Sequence, residues 1–297
     1  MQEETIPALR MEEILEGYLS FESLPGYLRV QLLEWCNESC FFCHNEGYDA
    51  SRVKVLDEEV MWKAISASLE IGKNKIKFTG GEPGSHPLLA EYVREIKRKS
   101  AESIVGIVTN GTYLAHNAED LVMAGLDGVN ISLHSLDREV YKKITHLDAL
   151  DDVFAGLATL KSLGFRNIVI NTVVNQLNLE EIPRIIAFAD KEGYELHLMD
   201  WMSTEKGVEK TSVPYEHIVD LFSDNLVKPK RYHEKCEGCD YRVNCGEGEY
   251  LRLSARGTLD PCMYRDDLKI PVSLSDTPAL VRKKVALGYR RIHRDTL

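Results

Sequence analysis

Three cysteines fall within the run Cys36-Asn37-Glu38-Ser39-Cys40-Phe41-Phe42-Cys43. Spaced by three and then two residues, their thiols share one short loop, and a metal-bound cysteine acts as the thiolate. Three thiolates so placed can ligate three irons of a four-iron cluster, leaving the fourth iron open to a small molecule. The spacing differs from the paired CxxC modules of zinc sites. A second set, Cys236, Cys239, Cys245 and Cys262, follows after nearly 200 residues without cysteine. Disulfides are disfavoured in a reducing cytosol, so the seven cysteines argue for two metal sites, one of three ligands and one of four. Iron–sulfur is the expected occupant of the second set, with zinc as the alternative.

Other residues with chemical potential recur at the ends of β-rich segments. Six such segments are rich in β-branched residues: 28–35, 76–79, 104–109, 128–134, 167–174 and 195–201. Helical patterns alternate with them. Asp57 is an N-cap for EEVMWKAISASLEIG, Pro87 opens LLAEYVREIKRK, and 148–163 and 179–192 carry apolar residues at helical spacing. Strand–helix alternation predicts an α/β fold with parallel strands, here a partial (β/α)6 TIM-like barrel with a small C-terminal auxiliary-cluster domain. In such barrels chemistry gathers at the C-terminal ends of the strands. The cysteine loop, Gly80-Gly81-Glu82-Pro83 and Asn110-Gly111 follow the first three strands, and Ser132 and Asn171 lie late in the fourth and fifth. Period-two spacing puts Lys75 and Lys77 on one face of the second strand. The expected division is an arm at 1–26, the barrel at 27–202 and the auxiliary region at 203–297. A final basic helix, VRKKVALGYRRIHR, is a candidate to close the barrel mouth over an anionic substrate.

Composition narrows the class. Hydrophobic content of 44% with 28% charged residues is that of a soluble globular chain. No apolar run is long enough to span a membrane, and the acidic N-terminus does not read as a signal peptide, so a cytoplasmic location is expected. A net charge of −11 argues against an extended nucleic-acid surface, although a few lysines in one cleft are compatible with it.

The CxxxCxxC spacing after a first strand, joined to Gly80-Gly81-Glu82-Pro83 after the second, resembles the radical SAM superfamily. That resemblance implies a 4Fe-4S cluster on Cys36, Cys40 and Cys43, with S-adenosylmethionine bound at the open iron. Reductive cleavage would give a 5′-deoxyadenosyl radical that abstracts hydrogen from a substrate. The resemblance also implies Phe42 beside the adenine, and Gly80, Gly81 and Glu82 at the methionyl amino group. Ser132 would contact the ribose, with Asn171 and Met202 as further cofactor contacts.

Across residues 28–265 the likeness tightens. YLRVQLLEWCN, KIKFTGGEP, TNG, ISLHSLD followed by YKKIT, and C-x2-C…YLRLSARGTLDPC are similar to the GTP 3′,8-cyclases of molybdenum cofactor biosynthesis. By that resemblance Arg29, Lys75, Lys77, Thr109 and Arg252 are substrate contacts; Arg and Lys supply charge-assisted donors to phosphate. The departures fall on substrate recognition. Val169 stands where that family has Lys, His197 stands where it has Arg, and the C-terminus RDTL lacks its double glycine. The insertion DYRVNCGEGEY brings Cys245, so that four cysteines saturate the second cluster, as in twitch and SPASM enzymes that modify peptides, sugars or aminocyclitols. The expectation is therefore two 4Fe-4S clusters and S-adenosylmethionine acting on an anionic small molecule, a nucleotide or phosphorylated metabolite. GTP cyclisation and peptide or sugar modification are the alternatives, and a non-catalytic metal-binding regulatory module is the alternative from another class. A reductant such as flavodoxin or ferredoxin is the expected protein partner.

Overall fold

The computed structural model describes residues 26–43, 53–201, 212–222, 250–262 and 265–292. The chain begins with β1 (Tyr27–Gln31), α1 (Glu58–Glu70), β2 (Lys75–Thr79), α2 (Leu89–Lys99), β3 (Ile104–Thr109) and α3 (Leu114–Met123). It continues with β4 (Gly128–Ser132), α4 (Arg138–Thr145), α5 (Leu150–Ser162), β5 (Ile168–Val173), α6 (Ile182–Glu192) and β6 (Glu195–Met199). After these come α7 (Tyr215–Leu221), β7 (Tyr250–Leu253), β8 (Thr258–Asp260), β9 (Ile270–Pro271) and α8 (Pro278–Ile292). The strands form one sheet in the order β6-β5-β4-β3-β2-β1-β7-β8-β9. All neighbours from β6 through β7 are parallel, and β8 and β9 are antiparallel additions. This is the expected partial TIM-like barrel.

Local chemistry sets the boundaries. Asp57 caps α1 by accepting from the backbone N–H groups of Glu59 and Val60 at 3.0 and 3.1 Å, and Asp137 does the same for α4 through Glu139 and Val140. Gly193, in the left-handed region at φ 73°, stops α6 and turns the chain into β6. One parity of the sheet is apolar: Leu28, Val30, Ile76, Phe78, Ile131, Ile170 and Leu198 are buried beneath the helices. The register puts Arg29, Lys77, Asn130 and Asn171 on the opposite, inner parity. A sheet covered by helices on one side and polar on the other needs occupants for its inner side, and the site lies there.

Three features differ from the sequence expectation. The first strand ends at Gln31 rather than Trp35, because residues 33–35 leave the ladder to meet the loop after β2. Within the region 203–297, β7 pairs in parallel with β1, so the sheet runs on past its six barrel strands. The described part of the final helix packs in the outer layer. α8 buries Val281, Val285 and Tyr289 at helical spacing in the outer layer, and Arg282 meets Glu70 of α1 at 2.9 Å. Lys284 is buried there too, donating to Asp276 at 2.6 Å and to the Pro271 carbonyl at 2.7 Å. Met202, Cys236, Cys239, Cys245 and the arm at 1–25 lie outside the described residues. No helix among the described residues is long and apolar enough to cross a membrane.

Candidate cluster and cofactor site

The cysteine loop is gripped from two sides. On one, Gly81 N–H donates to the Leu33 carbonyl at 2.7 Å and Glu82 N–H to the Trp35 carbonyl at 2.8 Å. Gly80 and Gly81 make this approach possible: an added Cβ at Gly81 would lie 1.9 Å from the Trp35 carbonyl oxygen, and one at Gly80 2.7 Å from that of Leu33. On the other side, Ser39 and Phe41 N–H groups donate to the Thr145 and Ile144 carbonyls at the end of α4, at 2.9 and 3.2 Å. Those carbonyls are among the acceptors that a helix C-terminus leaves over. The loop thus bridges the ends of β2 and α4.

Cys36, Cys40 and Cys43 are free thiols, the first two half-buried and the last exposed. Burial pushes Cys36 up to about 12, with the charges of Glu38, Glu82 and Cys43 adding to it. Cys40 is raised further, by burial and then by Glu38, Cys43 and Cys36. The three sulfurs are therefore within electrostatic reach of one another, and Cys36 and Cys40 need a cationic centre to become thiolates. A four-iron cluster takes one thiolate at each of three irons, and three cysteines on one loop are a donor set that fits it.

A polar network supports the loop. Asn110 donates through Nδ2 to Asn37 Oδ1 at 2.8 Å and lies 3.8 Å from the Cys36 sulfur. Asn37 donates in turn to Thr112 Oγ1 at 2.9 Å, and Thr112 donates to Asn110 Oδ1 at 2.8 Å. Glu82 fastens this network from below. Its carboxylate is wholly buried; Oε1 accepts from Gly84 N–H at 2.7 Å and from the Thr109 hydroxyl at 2.5 Å, and Oε2 accepts from Asn110 N–H at 2.6 Å. Burial raises its pKa to about 7 against the pull of those donors. The side chain expected at a methionyl amino group ties the loop after β2 to the loop after β3, and the Gly80 and Gly81 backbone lies against the Leu33–Cys36 backbone. Thr109, expected among the substrate contacts, shares the parity of Val105 and Ile107 that packs against the helices. Its hydroxyl donates to Glu82 and accepts from Gly111 N–H. In this geometry Thr109 braces Glu82 from the helix-covered side of the sheet.

Phe42 meets the buried His134 ring edge to face, centroids 4.9 Å apart, and Phe41 meets Trp201 at 5.6 Å. His134 Nδ1 accepts from Val173 N–H at 3.2 Å, and burial lowers its pKa to about 4, which keeps it neutral. Ser132, Asn171 and His197 stand in register across β4, β5 and β6, with His197 Nε2 2.5 Å from Glu195 Oε1.

A second row crosses β2, β1 and β7: Lys77 is in register with Arg29, and Arg29 with Arg252. Arg252 is buried and stands opposite Asp260. Tyrosines separate the charges. Arg29 lies 5.2 Å over the Tyr250 ring, and Lys75 and Lys77 lie 5.0 and 5.7 Å over Tyr27. Val169 sits on the same inner parity, in register with Asn130. Cys262 is half-buried just beyond β8. Sequence reasoning passed over Glu38, Asn37 and Tyr141; their signal was membership in the CNESC and YKKIT runs, both of which turn out to meet at the loop.

The Radical SAM superfamily profile matches residues 30–189. Over 290 residues the chain is 34% identical to the probable GTP 3′,8-cyclase of Metallosphaera sedula, covering 89% of this chain and 87% of that protein. It is 35% identical over 292 residues to the corresponding protein of Sulfurisphaera tokodaii, covering 89% and 92%. Among solved structures, SuiB of Streptococcus suis bound to S-adenosylmethionine aligns with a TM-score of 0.64 at 14% identity, over 91% of this chain and 66% of SuiB. The structure of anSMEcpe with bound AdoMet aligns at 0.64 and 17% identity, over 89% and 81%. At such identities the structural likeness speaks for the fold. Sequence match and barrel agree with a thiol loop clamped against Gly81, and this chain belongs to the radical SAM superfamily.

Proposed function

We propose that this radical SAM enzyme acts on an anionic small molecule, above all a nucleotide, held along the Lys77–Arg29–Arg252 row of the inner sheet face. The row itself is the observation that carries the reading. Lys77, Arg29 and Arg252 stand in register on adjacent strands, and such Lys and Arg side chains supply the charge-assisted donors that phosphate oxygens take up. From Lys75 to Thr79 the inner parity of β2 extends roughly 13 Å at about 3.3 Å per residue, room for an extended nucleoside phosphate between the row and the thiol loop.

Cys36, Cys40 and Cys43 hold the first cluster in this reading, and four cysteines, Cys236, Cys239, Cys245 and Cys262, hold the second. When bound, the first cluster supplies the electron that cleaves S-adenosylmethionine to a 5′-deoxyadenosyl radical. The chain's own residues place the partners. The Gly80–Gly81 backbone borders the methionyl group, Phe42 borders the adenine, and Ser132 with Asn171 offers polar side chains to the ribose. A flavodoxin or ferredoxin in the cytoplasm provides the electron.

A second reading, GTP 3′,8-cyclisation, is favoured by the 34% identity to the probable cyclase of Metallosphaera sedula. Against it stand Val169 and His197 on the inner parity, where the cyclase resemblance asks for Lys and Arg.

The test is anaerobic reconstitution with iron and sulfide, then S-adenosylmethionine, dithionite and a panel of nucleotides, read by mass spectrometry. Nucleotide-dependent 5′-deoxyadenosine with consumption of that nucleotide is expected. Formation of 5′-deoxyadenosine with no nucleotide bound at millimolar concentration overturns the substrate reading alone. A cyclised product from GTP establishes the second reading.

A further inference from the structure

Glu38 sits inside the cysteine loop, two residues from Cys36 and two from Cys40, yet it does not face water. It is 8% exposed. One carboxylate oxygen, Oε1, accepts from the hydroxyl of Tyr141, a fully buried residue of α4. The other, Oε2, accepts from the Cys40 thiol at 3.4 Å. A buried carboxyl group without partners is costly, so this one is held where it is by what it touches.

The neighbouring contacts say what the pair accomplishes. Backbone bonds from Ser39 and Phe41 to the Thr145 and Ile144 carbonyls flank Cys40 on either side. They fix where its α carbon lies but not which way its side chain turns. In the metal-free loop the Glu38 oxygen beside the sulfur supplies that second constraint; when the thiol gives up its proton to bind iron, the Tyr141 contact to the other oxygen remains and holds the residue to the helix. We propose that the Tyr141–Glu38 link is a positioning device that holds the Cys40 stretch of the loop in place for the iron–sulfur cluster. Neither residue is a ligand. The link couples the loop to α4, the helix that follows β4, so that cluster retention depends on a second anchor besides the cysteine-loop contacts after β2.

The inference rests on Cys36, Cys40 and Cys43 being the ligands, and the experiment separates the two claims. Cys40→Ala, Glu38→Ala, Glu38→Gln, Tyr141→Phe and the Glu38→Ala/Tyr141→Phe double variant are reconstituted anaerobically as full chains. Iron per chain, the rate of iron loss to a chelator and the electron paramagnetic resonance spectrum of the reduced cluster are measured, alongside thermal melts of the metal-free proteins. Tyr141→Phe and Glu38→Ala are expected to lose iron roughly fivefold faster than the parent, the scale of one net hydrogen bond, with an altered spectrum. Glu38→Gln keeps an oxygen for Tyr141 and is expected to restore both readouts. The double variant is expected to be no worse than Glu38→Ala, because both changes sever one link. Parent-like iron loss and spectra in Tyr141→Phe and Glu38→Ala overturn the proposal, as does strict additivity in the double variant. Should Glu38→Ala fail to fold, Tyr141→Phe decides, since it removes a single hydroxyl. Full iron content in Cys40→Ala refutes the ligand assignment instead.

Discussion

Gly81 and Trp35 meet backbone to backbone: a side-chain carbon on residue 81 would stand 1.9 Å from the Trp35 carbonyl oxygen and 2.7 Å from the Cys36 nitrogen. Backbone atoms cannot swing aside as a flexible side chain can, so the cost falls on the cysteine loop as a whole. Gly81→Ala is expected to lose about 3 kcal/mol or more of stability and most of its iron. Urea unfolding of the metal-free chain and iron analysis after reconstitution check it. Near-parent values in both would mean that the loop tolerates displacement.

Glu82 holds three donors with two oxygens, all without water. Glu82→Gln keeps the shape but turns an N–H2 group towards at least one N–H or O–H donor. The expected loss is about 2 to 3 kcal/mol, together with weaker protection of the Asn110 and Gly84 amides in hydrogen exchange. Unchanged protection at those amides would contradict the buried geometry.

His134 gives a pH signature with a definite sign. Its folded pKa lies at about 4, below the ordinary 6.5, so between those values the unfolded chain binds a proton that the folded one does not. Stability from this residue is complete above about pH 6.5 and falls as pH drops towards 4, by about 3 kcal/mol in total. Glu38 and Glu82, both raised to about 7, act in the opposite direction. The difference between the parent and His134→Gln therefore isolates the effect. Unfolding free energies at stepped pH measure it, and two parallel curves would refute it.

The cation row predicts a graded loss of ligand. Arg29→Met and Lys77→Met each remove a charge-assisted donor and are expected to weaken nucleotide binding roughly tenfold or more. Lys75, at the exposed start of β2, is expected to matter less. Calorimetric titration of the anaerobic protein, with Lys75→Met alongside the other two, checks the order, and parent-like affinity in all three variants would remove the row from the site.

The legible parts of this fold were those whose signal is local. Six strands, the Asp57 cap and the cysteine loop announce themselves by periodicity and spacing. What escaped is long-range or very short. α4 spans eight residues, Arg138–Thr145, too few for periodicity to stand out, yet it carries the loop's second anchor. β7 to β9 run four, three and two residues, and β7 exists as a strand because β1 offers it an edge. The basic final helix shows the same limit: its charges are conspicuous in sequence, while its packing rests on Val281, Val285 and Tyr289. The side of the sheet that Thr109 faces was not legible either, because a motif gives a residue's neighbourhood but not its parity in the strand.

The pairing of Tyr27 with Tyr250 also has a consequence for biogenesis. Until β7 has left the ribosome, β1 has a partner on one side only, and its other edge is a bare row of amide and carbonyl groups. Such an edge is a template for adhesion between nascent chains. Chaperone demand and inclusion-body formation should therefore rise sharply for any product terminated before residue 250.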